Sequence, residues 1–228
     1  MTTRTAAASP MSRFAFPAAV AGAGFIVLLT VLGGFGFPGY SHLAHFISEL
    51  GARGAPHEML VRFVGFLPAG LLLCFFAWVA ARALPASRLA GVGFVGIAVY
   101  AAGYAVAAFF PCDAGCRPAS PSPSQVVHNI GGLAGYAMAP VAMLCLGLAA
   151  RRWPSGRGLS ATAFVVAVAV AALLGLLSLS PKSPWVGASQ RLIEAAMLSW
   201  IVLCGAYIRA RLHAAAGAGA TPGSTPGR

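Results

Sequence analysis

Six long apolar runs, near residues 14–36, 58–81, 88–110, 126–149, 159–180 and 190–210, alternate with short polar breaks along the chain. A helix of roughly 20 apolar residues crosses the ~30 Å hydrocarbon core of a bilayer. The pattern therefore predicts an all-α fold, a bundle of six transmembrane helices. The breaks "RALPASR", "PCDAGCRPASPSPS", "RRWPSGRG" and "SPKSPWVG" carry proline and glycine. Proline lacks a backbone donor and glycine turns left-handed without steric cost, so both end helices.

The break between the first two runs is different. "YSHLAHFISELGARGAP", Tyr40 to Pro56, keeps apolar residues among its polar ones. Ser41 suits an N-cap and Gly51 a C′ position. About ten residues lie between them, or ~15 Å as a helix. At ~100° per residue, His42, His45 and Glu49 would share one face. The expectation is a short extracytoplasmic interfacial helix between helices 1 and 2. Pro56 then suits the first position of the second span, with Glu58 in its first turn.

Composition agrees with a membrane setting. The chain is 59% apolar and 8% charged, against about 25% charged in soluble domains. The net charge of +11 is scattered between apolar runs and forms no patch interleaved with aromatics, so nucleic acid is not a partner this sequence suggests. Arg4 and Arg13 precede the first run as in a signal peptide. Yet the run from Phe14 to Phe37 exceeds the roughly 7–15 residues of a signal's apolar region and lacks a clear cleavage site, so it reads as a retained helix.

In a six-span arrangement, Arg4, Arg13, Arg82, Arg88, Arg151, Arg152, Arg157, Arg209, Arg211 and Arg228 fall on one side. Arg53, Arg62, Arg117, Lys182 and Arg191 fall on the other. The positive-inside rule then predicts a plasma (inner) membrane protein with both termini cytoplasmic. Segment 1–13 and a disordered tail, 212–228, would flank a membrane domain of 14–211. The four acids, Glu49, Glu58, Asp113 and Glu194, and four histidines, His42, His45, His57 and His128, all fall at the extracytoplasmic side. The chemistry is expected there, in a polar cup where helices end. Small-residue stretches "AGAG" (21–24), "GVGFVG" (91–96) and "GGLAG" (131–135) predict close helix packing. The four tryptophans mostly fall near span ends, as interfacial anchors do.

Several readings of the polar residues stay open. His42, Asp113 and His128 are weak metal candidates, and neutral imidazole with carboxylate would suit zinc. The spacing of His42, His45 and Glu49 does not match a two-histidine helical zinc motif, and hydrogen bonding within the loop is the plainer reading. Cys112 and Cys116 would lie on the oxidising side, where a local disulfide is open to them. Cys74, Cys145 and Cys204 read as small apolar residues within spans. His128 and Asn129 are either structural groups at a helix start or pocket residues. Arg191 and Glu194, three apart, are either a surface ion pair or part of the cup. Arg191 could also hold a lipid phosphate.

The segments "YSHLAHFISELGARGAP", "FPCDAGC", "HNIGG" and "GASQRL", in that order between six spans, resemble the DUF998 family of bacterial and archaeal multi-pass membrane proteins. The resemblance implies a six-helix membrane protein and directs attention to Ser48, Glu49, Asp113, His128, Asn129 and Arg191; His45 falls outside the pattern. "ISELGARGAP" is also faintly similar to the first-loop motif of the Frag1/DRAM/Sfk1 membrane proteins, which have been linked to lipid organisation. Three functions follow as expectations. The first is a non-transporting protein whose cup recognises a lipid headgroup or organises membrane partners, with Arg191 holding an anion. The second is an intramembrane, metal-assisted lipid hydrolase using His42, Asp113 and His128 with Ser48 or Glu49. The third is a small transporter, disfavoured by mid-span positions that are almost wholly apolar.

Overall fold

The computed structural model describes residues 10–180 and 182–219. Expectations that concern Arg4, Pro181 or residues 220–228 lie outside the described residues. Six helices carry the fold: α1 (Ala15–Phe35), α2 (Glu58–Ala83), α3 (Arg88–Phe109), α4 (Pro123–Ala150), α5 (Arg157–Leu179) and α6 (Val186–Gly219). Each holds a stretch long and apolar enough to cross a membrane. Short side chains set their starts. Ser87 accepts the Ala90 N–H at 3.1 Å to cap α3. Ser122 accepts the Gln125 N–H at 3.2 Å to cap α4, with Pro123 in the first turn where its missing donor is harmless. That cap starts α4 three residues before the expected 126. At the other end of the chain, α6 continues through Leu212 and His213 to Gly219, so residues 212–219 of the expected disordered tail are helical.

The helices form a closed ring. Each packs against its chain neighbours, and α6 returns to pack on α1. Glycine makes the close approaches. A Cβ on Gly22 of α1 would stand 2.8 Å from Leu73 of α2, one on Gly70 of α2 2.9 Å from the Ala101 carbonyl of α3, and one on Gly96 of α3 2.8 Å from Ala142 of α4. Lipid tails are as apolar as the side chains, so close van der Waals contact, not water expulsion, is what holds such helices together. Trp78 and Trp185 are exposed, as interfacial anchors would be. Trp153 and Trp200 are core residues instead: Trp153 stacks between Phe94 and Tyr207, and Trp200, 1% exposed, donates its indole N–H to the Leu159 carbonyl at 3.2 Å.

The loop between α1 and α2 folds over the ring but is less helical than its pattern predicts. Its helix is one 3-10 turn, Ile47–Gly51. The physical reason is competition. A helix over 41–51 would use its own carbonyls, and here α6 and the Tyr40 side chain take them. The Leu43 carbonyl accepts from Ala188 N–H at 2.9 Å, the His45 carbonyl from Arg191 Nη1 at 2.9 Å, and the Phe46 carbonyl from the Tyr40 hydroxyl at 2.9 Å. The Ser41 side chain turns inward to accept the Leu43 and Ala44 N–H groups, at 3.3 and 3.4 Å. Consequently His42, His45 and Glu49 do not form one face. Gly51 is not left-handed and does not act as the expected C′ residue; it is the last residue of the turn, and a Cβ there would stand 3.1 Å from both Arg62 and Phe66.

Candidate functional site

The site grows from one turn of α6. Gln190 and Glu194 are four residues apart and share the face that looks into the ring, while Arg191 is rotated ~100° away, toward the loop. Glu194 is 6% exposed. It stands roughly 12 Å along α6 from Val186, at 1.5 Å per residue. It has no salt-bridge partner among the described residues; the ion pair there joins Arg117 and Glu49. Three phenols surround it instead. Tyr136 of α4 donates to Glu194 Oε1 at 2.6 Å, and Tyr100 and Tyr104 of α3 both hydrogen-bond Oε2. Tyr100 and Tyr104 are themselves one helical turn apart, with hydroxyls 3.0 Å from each other. A carboxyl in an apolar interior is costly unless its oxygens are satisfied. Here α3, α4 and α6 each supply part of one polar cluster, so the cluster ties the three helices together.

The cluster continues upward. Gln190 Nε2 donates to the Tyr136 hydroxyl at 2.8 Å, and Gln190 Oε1 accepts the Ile47 N–H at 2.6 Å. The loop is therefore wired to the buried carboxyl through two side chains. Pro140, four residues after Tyr136, has no N–H to offer the Tyr136 carbonyl.

A cavity of about 350 Å³ opens beside this cluster. Glu194, Tyr100, Tyr104 and Tyr136 lie on its wall with Phe66, Gly103 and Ala107, and Phe46, Ile47 and Ser48 form the part nearest the loop. Leu133 and Asn129, exposed residues of α4, also line it, so the cavity reaches the perimeter of the bundle. In α2, the turn Val61–Phe66 is π-helical and delivers Phe66 to the same wall.

The expected cup is divided. Ser48, His128, Asn129 and Glu194 line the cavity; Glu49, Asp113, His42 and Arg191 do not. His128 turns its Nδ1 to the Phe110 carbonyl at 3.0 Å, and Asn129 Oδ1 accepts from Gln125 Nε2 at 2.7 Å. Glu49 accepts the Phe46 N–H at 2.9 Å and lines a separate hollow of about 240 Å³ with Tyr40, His45 and Arg53. Its contact with the half-exposed Arg117, 3.9 Å away, is the kind of pair worth at most ~1 kcal/mol. Asp113 accepts the Ser122 N–H at 2.9 Å and its hydroxyl at 2.7 Å. Those bonds, the backbone one first, hold its carboxyl below the ordinary carboxylate value. His42 packs over Gly34, and burial, aided by the Arg191 guanidinium, lowers its imidazole below the usual range. Cys112 and Cys116 are joined as a disulfide, and the Cys112 carbonyl accepts the Arg53 N–H at 2.9 Å.

Arg191 does not form an ion pair with Glu194. Its Nη1 donates to the His45 and Gly187 carbonyls, both at 2.9 Å, and its Nη2 to the Tyr40 hydroxyl. It clamps the loop onto α6. Among the described residues no three His, Cys, Asp or Glu side chains converge to hold a metal ion. The residues that sequence reasoning passed over are Tyr100, Tyr104, Tyr136 and Gln190. The available signal was the spacing of Tyr100 and Tyr104, four apart on one face of an otherwise apolar span.

A family model described as "Protein of unknown function (DUF998)" matches residues 20–207. No curated protein and no solved structure matches the chain.

Proposed function

The chain belongs to the DUF998 family, whose description names no activity, and from its own geometry we propose that this integral, multi-pass membrane protein binds an amphiphile. The apolar part enters the cavity from the membrane at α4, and the polar head meets the Glu194 cluster. The observation that carries this reading is a cavity of about 350 Å³ that is mostly apolar, reaches the bundle perimeter and contains one buried carboxyl. Ligand sites combine these features: an apolar hollow of ~300–1,000 Å³ with few, convergent polar groups. The lipid-headgroup expectation is kept, but its anchor moves from Arg191 to Glu194. The Lys and Arg distribution supports an orientation with both termini cytoplasmic and the cavity toward the outer side.

Native mass spectrometry of the protein extracted from its membrane tests this, with Gly132→Leu as the comparison. Gly132 lines the cavity, and a Cβ there meets no atom within 4 Å, so a side chain at this position starts into open space and takes up room in the hollow. Wild type should carry a bound amphiphile and Gly132→Leu should lose it while remaining folded. No bound amphiphile in wild type, or equal retention in the variant, sinks the reading. A small carrier is the second reading, favoured by one fact: an ionisable side chain lies inside the bundle, on the ring interior. Flux of the co-purified amphiphile across proteoliposomes distinguishes a carrier from a receptor.

A further inference from the structure

The hydrogen-bond pattern and the composition of the cavity wall bear on the charge of the ligand. The Ile47 N–H can only donate, so the Gln190 oxygen faces it and the Gln190 amide nitrogen faces Tyr136. The Tyr136 hydroxyl accepts from that nitrogen and so sends its own proton to Glu194 Oε1. The other two phenols address Oε2. Oε1 therefore accepts, and at Oε2 the two phenols, which also contact each other, can surround either the acid or the carboxylate; a neighbouring cation favours the carboxylate. The cavity lining contains no Lys or Arg, and the neighbouring cation, Arg191, has turned its terminal nitrogens to the loop and to Gly187. Around the Glu194 carboxyl stand aromatic residues: Phe46, Phe66, Tyr100, Tyr104 and Tyr136. A carboxyl without a protein counter-charge, walled by aromatic rings in a low-dielectric cavity, is complementary to an organic cation, which supplies the missing charge when Glu194 ionises.

We infer that the cavity selects amphiphiles whose head is an organic ammonium, seated against Glu194 and the aromatic wall. This rests on the amphiphile-binding reading above and names its ligand class. A phosphate-bearing head fits less well, since the phosphate would bring a second anion to the same carboxylate.

The test is calorimetric titration of the full chain in dodecyl maltoside with three probes that share one chain: decyltrimethylammonium, decanol and decyl sulfate. Wild type should bind decyltrimethylammonium saturably at one site, at least tenfold more tightly than decanol, and decyl sulfate most weakly. Glu194→Gln should lose at least tenfold for the ammonium probe and keep its affinity for decanol, which also reports that the variant is folded. The wild-type ranking stands as a test even if that variant does not fold. Equal binding of decanol and the ammonium, or an ammonium affinity unchanged in Glu194→Gln, overturns the inference and leaves the amphiphile pocket standing. Binding of none of the three overturns both. Sphingosine, a lipid amine without phosphate, added as competitor identifies the source: displacement points to a lipid head, and failure to displace points to a water-soluble amine.

Discussion

Replacing Tyr136 by Phe removes one oxygen atom from the centre of the network and leaves the ring in place. Two interhelical hydrogen bonds disappear with it, to Glu194 Oε1 at 2.6 Å and from Gln190 Nε2 at 2.8 Å. In a water-soluble core a bond to a charged group contributes ~1.5–3 kcal/mol. Between membrane helices the average is only ~0.6 and the largest ~1.7 kcal/mol, because the separated helices also find partners. The membrane figures apply, so the two bonds together amount to roughly 1–3 kcal/mol. Tyr207→Phe is the matched control. It also removes one hydroxyl with two partners, the Pro154 carbonyl at 2.7 Å and Arg211 Nη1 at 3.2 Å, but these lie at an exposed site outside the cluster; their loss should cost about 1 kcal/mol or less. The assay is reversible unfolding in mixed micelles of increasing dodecyl sulfate fraction. The double variant Tyr136→Phe/Glu194→Gln completes a cycle, and a coupling of about 1 kcal/mol is expected for directly bonded partners. If Tyr136→Phe is as stable as Tyr207→Phe and the cycle is additive, the carboxyl is not held by this phenol and the account of the cluster is refuted.

Two further outcomes follow from the loop. A Cβ on Gly187 would run into the His45 carbonyl and stand 2.8 Å from that of His42, both of them backbone, so Gly187→Ala should push the loop off α6. Overpacking of this kind costs ~1–3 kcal/mol; hydrogen exchange at the Ala188 N–H, which is bonded to the Leu43 carbonyl, should speed up, and unchanged exchange contradicts the docking. Asp113 is held below the ordinary carboxylate value by Ser122, so its ionised form is favoured in the folded state. Its contribution is therefore present above the unfolded value, ~3.9, and is lost as pH falls through the lower folded one. Ser122→Ala should raise the Asp113 titration toward the ordinary value in a carboxyl NMR experiment; a titration that does not move rules out the Ser122 hydroxyl as a contributor.

The six spans were legible because the information is local. A run of ~20 apolar residues must satisfy its backbone internally within the bilayer, and a helix does so without reference to the rest of the chain. Gly22, Gly96 and Gly131 were legible for a related reason: small residues at helical spacing mark a packing face wherever the partner lies. The site was half legible. Glu194 stood out as one of four acids, and Ser48, His128 and Asn129 fell on the correct end of the bundle. Tyrosine in an apolar span, by contrast, reads as one more apolar residue, and its hydroxyl gains meaning only when a partner is known. The partners of Glu194 are 94, 90 and 58 positions away. Arg191 shows the opposite error: a lone cation near acids suggests an ion pair or an anion site, but the His45 carbonyl and Tyr40 hydroxyl of the loop and the Gly187 carbonyl of its own helix hold it instead.

What the sequence by itself determined is therefore the architecture, since apolar run length and small-residue spacing act within single helices. Which polar groups meet was decided by tertiary structure. Closing the ring set the rotation of α3, α4 and α6 about their axes, turned one glutamate and three tyrosines toward a common point, and spent Arg191 on the loop, because a buried polar group is stable only beside whatever donor or acceptor the packing brings to it.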